Sequence, residues 1–409
     1  MLDPKTKLKL LKKSISERLT DIERFDHRSV TLSREGTPPV ETAQRYRSIQ
    51  SGMVNRVLMF GSNNYLNLNT HPSVVQAVAR SIEENGIGTG GSPGFSGYSS
   101  AHISLERKLA RTASHEDSIL LPCGFMANLC WVNGLFGKQD TIFVDQNSHA
   151  SVFEGLASSP AKSVIFDPED IESFESKIQV ELANGAASSF MAATFEGVRS
   201  SDGTISKLED LVYICKKYNL FIILDDAHGF GVIGKGGKGS IEHASINPQD
   251  IDLRMSTCSK ALGCQGAFLS GSSSAINFLR KTSIPYLFTT SLSYSSIAAI
   301  SSALDVIDSE PERISKLQSN IHYLTQSIKS SGFQTIENES GIVPLYIENG
   351  LARELCLQLH ENGLFVNLME FPIISRNSTE YLRFSTMSDH SCNEIDHAMD
   401  ILKSSLDCM

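Results

Sequence analysis

The stretch LFIILDDAHGFGVIGKGGKG, residues 220–239, holds the decision about the fold. It begins as a β-branched apolar run, passes through two aspartates and a histidine, and ends in glycines and lysines. Gly229, Gly234 and Lys235 satisfy the opening G-x-x-x-x-G-K of a phosphate-binding loop. Such a loop needs Ser or Thr directly after the lysine to ligand Mg²⁺. Position 236 is glycine, so the metal ligand is missing. A second nucleotide-like pattern, Gly86, Gly88 and Gly91, follows an amphipathic helical segment. A dinucleotide fingerprint requires a strand there. Both glycine runs read more simply as tight turns.

The DDAH segment carries the stronger signal. Asp225 and Asp226 close an apolar strand, and ligands of open α/β sheets bind beyond the carboxyl ends of strands. Aspartate is rarely buried without a partner. No G-x-S-x-G elbow accompanies His228, and no HExxH pattern points to a metal. Further on, MSTCSKALGCQGAFLSG (255–271) sets Lys260 between Thr257 and Ser259 and small residues. A lysine in a small polar turn suits a Schiff base with pyridoxal phosphate. Small neighbours admit the cofactor, hydroxyls bind its phosphate, and burial lowers the amine pKa. An aspartate facing the pyridine nitrogen, for which Asp225 is the candidate, keeps that ring an electron sink.

The surroundings agree with an α/β enzyme. Apolar runs at 118–123, 141–145, 189–197, 220–226 and 267–271 alternate with helical patterns, which predicts a mostly parallel sheet covered by helices. From about residue 295 the texture changes. Ile314, Leu317, Ile321, Leu324 and Ile328 fall on one helical face, GIVPLYIEN reads as a strand, and Ile395, Met399, Leu402 and Leu406 mark a last amphipathic helix. Three segments follow: a polar N-terminal one (1–56) with few strand signals, a large domain (57–294) and a smaller C-terminal α+β domain (295–409).

The chain has 409 residues and a formal charge of −10. That charge argues against a large nucleic-acid footprint. No apolar run approaches the ~20 residues of a membrane-spanning helix. The N-terminal MLDPKTKLKLLKKSISERL is basic, lacks the core of a signal peptide, and reads as a solvated helix with at most a peripheral membrane contact. Eight scattered cysteines without a C-x-x-C pair predict no metal site and a reducing cytoplasm.

Several motifs, in order, then identify a resemblance. FGSNNYLNL (60–68), GTGGSPGFSGYSSAHISLERKLA (88–110), LLPCGFMANL (120–129), DQNSHASVFEG (145–155), FEGVRSSDGTISKLEDLV (195–212), DDAHGFGVIG and TCSKALG together resemble the α-oxoamine synthases, fold type I pyridoxal-phosphate enzymes. The resemblance implies a decarboxylative condensation of an amino acid with an acyl-CoA. It implies that Lys260 binds the cofactor covalently and moves the Cα proton, that Asp225 pairs with the ring nitrogen, and that His149 stacks on the ring. His228 and Ser200 would bond the phenolic oxygen. Gly124 and Phe125, with Thr257 and Ser259, would hold the phosphate. Asn63 would contact substrate and Arg383 would clamp its carboxylate. Thr290 would reach the site of a neighbouring subunit in a homodimer.

The pattern departs from the family at Pro93, where arginine is common, at Thr204, and in EFPIISRNS (370–378), which keeps Pro372 but sets Arg376 and Asn377 near the usual glycine. Some segments lean toward the serine palmitoyltransferase-like branch and others toward the 8-amino-7-oxononanoate synthase-like branch. The expected substrates are alanine or serine with a medium- or long-chain acyl-CoA. A glycine C-acetyltransferase, a synthase of amino-ketone signals, another fold type I activity such as an aminotransferase or lyase, and a non-catalytic partner subunit remain as alternatives.

Overall fold

The computed structural model describes residues 31–33, 43–47, 54–185, 189–337, 339–347, 350–370, 373–374 and 378–407, with side chains from Val57 onward. The basic N-terminal segment, Pro372, Arg376, Asn377 and Cys408 lie outside the described residues.

Three short strands come first: β1 (Thr31–Ser33), β2 (Ala43–Arg47) and β3 (Val54–Met59). Seven follow: β4 (Asp117–Leu121), β5 (Thr141–Asp145), β6 (Lys162–Phe166), β7 (Met191–Glu196), β8 (Phe221–Asp225), β9 (Leu253–Thr257) and β10 (Ala267–Gly271). These seven form one sheet in the order β4-β10-β9-β8-β7-β5-β6. Only β10 runs antiparallel to its neighbours β4 and β9; the other pairs are parallel. A mostly parallel sheet with helices between its strands is therefore the core, as the β/α alternation predicts.

Side chains alternate between the two faces. Ile142, Val144 and Ile223 pack in one apolar cluster with Trp131 and Met255. Phe143, Ile222 and Leu224 pack in another with Phe174 and Leu211. A sheet covered on both faces explains why β5, β7, β9 and β10 are buried throughout. The carboxyl ends of β5, β7 and β8 carry Asp145, Glu196 and Asp225, side by side.

The remaining strands are β11 (Ile342–Tyr346), β12 (Leu364–Phe365), β13 (Asn367–Met369) and β14 (Tyr381–Ser385). A three-stranded sheet, β11-β14-β13, sits with the helix Glu312–Ser330, whose Ile314, Leu317, Ile321, Leu324 and Ile328 are all buried. In the last helix, Cys392–Asp407, Ile395, Met399 and Leu402 are buried as expected, and Leu406 is partly so.

Two features depart from the sequence reading. The polar N-terminal segment supplies strands, because β3 pairs with β2 and, in parallel, with the distant β12. Pairing across the chain overrides weak local propensity here. Leu58 N–H donates to the Gly363 carbonyl at 2.7 Å and Ser385 N–H to the Phe60 carbonyl at 2.6 Å, so this strand is tied to the C-terminal lobe. The second is β9, unrecognised in the sequence because Arg254 interrupts its apolar run.

Candidate active site

The glycine-rich stretch that opened the analysis folds around Asp226, not around a phosphate. Asp226 is fully buried. Arg254 Nη2 lies 2.5 Å from its Oδ2, and Ser240 donates both its hydroxyl, at 2.6 Å, and its N–H, at 3.2 Å. To return the chain to Ser240 within so few residues, Gly231, Gly234, Gly237 and Gly239 adopt positive φ, which glycine accepts without strain. The two aspartates of DDAH thus divide their tasks. Asp226 anchors the turn, and Asp225 is left for the site.

Asp225 stands at the end of β8 and accepts two hydrogen bonds. Asn128 Nδ2 donates to Oδ2 and Ala227 N–H to Oδ1, each at 3.1 Å. Asn128 lies one turn into the helix Gly124–Leu135. Its Oδ1 accepts from the Trp131 indole at 2.9 Å, and its Nδ2 also reaches Ser151 Oγ at 3.0 Å. Ser151 in turn sits 2.7 Å from His149 Nδ1, and Ser151 N–H donates to the same nitrogen at 3.2 Å. Two donors converge on Nδ1, so the neutral ring carries its proton on Nε2. Burial lowers the His149 pKa, with the Lys260 charge adding and Asp225 opposing.

Lys260 follows β9 in the turn that carries Thr257 and Ser259. Its pKa is pushed down to about 8 by burial, against the attraction of Asp225 and Glu196 and with the help of Arg383. His228 is held well below its ordinary pKa by burial, then by Lys260 and Arg383. Its Nδ1 lies 2.8 Å from the Tyr65 hydroxyl. Arg383 Nη2 donates to Asn63 Oδ1 at 2.8 Å, while its buried Nε has no hydrogen-bond partner.

Asn63, His149, Ser200, His228, Lys260 and Arg383 line one cavity of about 1910 Å³ between the large sheet and the C-terminal strands. Nearby, Thr257 Oγ1 and Ser259 Oγ are 2.8 Å apart. A Cβ on Gly124 would stand 3.5 Å from Thr257 Cβ. The start of the helix Gly124–Leu135, where the first backbone N–H groups lack partners within the helix, therefore lies against these hydroxyls. Phe125 in that first turn is exposed. Thr290 is not brought in. It is exposed after the helix Ile284–Phe288 and lies with Pro93 and Tyr98, away from the cavity.

Sequence reasoning missed Tyr65, Asn128, Glu196 and the pair Asp226–Arg254. Asn128 was detectable in principle, because it falls one helical turn beyond Gly124 and so faces the same end of the sheet. An arginine inside a fully buried strand, as in LRMST, requires a buried partner.

These donors fit pyridoxal phosphate. There is a low-pKa amine, a buried carboxylate opposite it, a helix start with two hydroxyls for a phosphate, and a guanidinium with a free N–H. The comparisons agree. The family model for aminotransferase class I and II matches residues 55–402. A serine palmitoyltransferase from Sphingobacterium spiritivorum is 32% identical over 363 residues, 88% of this chain and 89% of the relative. An 8-amino-7-oxononanoate synthase from Lysinibacillus sphaericus is 32% identical over 349 residues, 85% of this chain and 88% of the relative.

The chain belongs to the α-oxoamine synthase branch of this family. Its fold is that of the fold type I enzymes. The structure of a lysine-to-alanine variant of serine palmitoyltransferase from S. paucimobilis, with a bound PLP–myriocin aldimine, superposes with a TM-score of 0.87 at 25% identity, covering 100% of this chain and 99% of that one. The α-oxoamine synthase described here is thus a pyridoxal-phosphate-dependent enzyme. Among the described residues, no helix is long and apolar enough to cross a membrane.

Proposed function

We propose that this enzyme condenses a small L-amino acid, alanine or serine, with a medium- or long-chain acyl-CoA, releasing CoA and CO₂ and leaving an α-amino ketone. The observation that carries the reading is Arg383. A buried guanidinium with an unpartnered Nε, in one cavity with Lys260 and Asn63, is the natural receptor for an amino acid's carboxylate.

Bound pyridoxal phosphate supplies an electron sink for negative charge at Cα. The chain's own residues do the rest. Lys260, whose proton burial makes easier to lose, would hold the cofactor covalently and then accept the Cα proton. Asp225, fixed by Asn128, would pair with the ring nitrogen. His149, which lines the cavity with Nδ1 tied to Ser151, would stack on the ring. His228 and Ser200 bond the phenolic oxygen. The N–H groups of Gly124 and Phe125, with the Thr257 and Ser259 hydroxyls, take the phosphate.

Leu357, Val366, Leu368, Met369, Ile373 and Ile374 line the C-terminal side of the same cavity. An apolar wall of that extent favours an alkyl chain over an acetyl group. Phe95, Phe288, Ile87 and Ile284 are exposed, and the Phe95 and Phe288 rings lie 6.1 Å apart. This apolar face beside Thr290 supports a homodimer in which Thr290 serves the second site. Residues 57–294 would then form the cofactor-binding lobe and 295–409 the lobe that closes over it.

The test combines two readouts on purified enzyme. Glycine, L-alanine and L-serine are titrated separately while the visible spectrum is followed, and CoA thiol release is then measured with acetyl-, octanoyl- and palmitoyl-CoA. A spectral response to alanine or serine, with turnover on the longer thioesters, is expected. Turnover confined to glycine and acetyl-CoA would move the assignment to glycine C-acetyltransferase. Keto-acid formation without any acyl-CoA would overturn the condensation altogether.

A further inference from the structure

Three buried carboxyl groups stand on adjacent strand ends beneath the cavity. Glu196 pairs in register with Asp225 across β7 and β8, and Asp145 ends β5 on the other side of β7. The three are 2%, 4% and 6% exposed for Asp145, Glu196 and Asp225. Like charges this close in a poorly hydrated interior cannot all persist. The hydrogen bonds decide which one yields. Asp225 accepts from Asn128 and Ala227. Asp145 accepts from Asn147 N–H at 2.7 Å and feels the charge of Arg199. The Glu196 carboxyl accepts a single bond, from Ser200 N–H at 2.8 Å.

We propose that Glu196 is a positioning residue held as a neutral carboxylic acid at working pH, which leaves Asp225 as the carboxylate facing the cofactor ring and lets Lys260 exist as a free amine. The inference rests on the assignment of Asp225 and Lys260 given above. It has independent support. Burial, followed by the charge of Asp225, raises the Glu196 pKa to about 8, while Lys260 opposes and Asp145 adds to the rise. Lys260 is itself brought to about 8.

The two protonation states are linked electrostatically: a Glu196 carboxylate would favour the ammonium form of Lys260, and a neutral Glu196 removes that attraction. His149 faces Asp225 and Lys260 from the helix Ala150–Ser158, and Arg383 faces Lys260 from β14. The Arg383 charge opposes the ammonium form of Lys260. As an acid, Glu196 also keeps its bond to Ser200 N–H, which fixes the loop that carries Ser200 to the cavity wall.

The test uses the cofactor-free full-length chain, so that it does not depend on turnover. Infrared difference spectra between pH 6 and pH 10 are recorded for the wild type, Glu196→Gln and Asp225→Asn. A protonated carboxyl band that disappears near pH 8 in the wild type and is missing in Glu196→Gln is expected. In Asp225→Asn the same band should disappear about one pH unit lower, because a like charge has been removed. Competitive acetylation of Lys260, read by peptide mass spectrometry, should shift its midpoint down by about one pH unit in Glu196→Gln, because no carboxylate forms near pH 8 to hold the ammonium. A Glu196 carboxyl already ionised at pH 6 would overturn the proposal. Should Glu196→Gln not fold, the wild-type and Asp225→Asn spectra alone decide. Failure of the Lys260 assignment is separately visible as a cofactor absorption band that survives Lys260→Ala.

Discussion

Asp226 and Arg254 meet entirely inside the protein, with Oδ2 and Nη2 2.5 Å apart and side chains 0% and 1% exposed. The pair joins β9 to the turn that leaves β8, directly behind Asp225. Removing one partner strands a charge in the interior, which costs about 3–5 kcal/mol. Arg254→Met should therefore lower unfolding stability by that amount. Arg254→Met combined with Asp226→Asn should recover most of the loss, since neither charge is then orphaned. Denaturant unfolding of the three variants checks this. Equal losses in the single and double variants would show that packing, and not charge, dominates.

The depressed Lys260 pKa makes cofactor uptake pH-dependent. With a value of about 8 in place of the ordinary 10.5, about one molecule in ten carries a free amine at pH 7. The rate of pyridoxal phosphate incorporation should rise through pH 8 and then level off. The sign for the unloaded fold follows from the same lowering. Burying the amine disfavours its charged form, so stability is reduced below pH 8 and regained between about 8 and 10.5. Stopped-flow absorbance gives the rate. A midpoint near pH 10 would contradict the burial of Lys260.

Arg383→Ala should cut kcat/KM for the amino acid by about 100-fold, the worth of one or two charge-assisted hydrogen bonds. The cofactor should still bind, because Arg383 is held by Asn63, while loss of its charge should raise the pKa of Lys260 and His228. Arg383→Lys should recover only part of the loss, since a point charge lacks the two-pronged geometry. Steady-state kinetics with varied amino acid separate these effects. A change confined to the acyl-CoA would reassign Arg383.

Trp131 is the single tryptophan of the chain and reports on the site through Asn128. Asn128→Ala removes a donor from Asp225 and the acceptor of the buried Trp131 indole. The unpaired indole N–H should cost about 1–3 kcal/mol of stability, and cofactor affinity should fall about tenfold. Trp131 fluorescence measures affinity during cofactor titration and stability during denaturant unfolding. Unchanged affinity would mean that Ala227 N–H alone suffices to hold Asp225.

Much of this was legible in the sequence. Lys260 between hydroxyls, and Asp225 at a strand end, depend on local chemistry that a short segment displays. The helical face from Ile314 to Ile328 depends on periodicity, which is equally local. What stayed hidden depends on contacts between distant segments. Asn128 acquires its meaning only when its helix start is laid beside β8. Glu196 reads as one more strand residue until its register partner is known to be Asp225. Arg254 looked like a break in a strand because its partner, Asp226, reaches it from the next strand over. Thr290 carries a family signature but lies outside the cavity of its own chain, so a place in an active site would require a second copy.

The pairing of β3 with β12 also sets an order of events during synthesis. Leu58 and Met59 emerge early, yet Leu364 and Phe365, which complete that edge, lie roughly 300 residues further on. At about 5–20 residues per second, the ribosome leaves one side of β3 without its partner for about 15–60 s. During that interval β2 covers only the other side. The large parallel sheet between them has all its strands translated first, so the nascent chain carries a nearly finished core with an open apolar edge. Truncation before residue 364 should therefore yield chains that aggregate through β3 even though every strand of the main sheet is present.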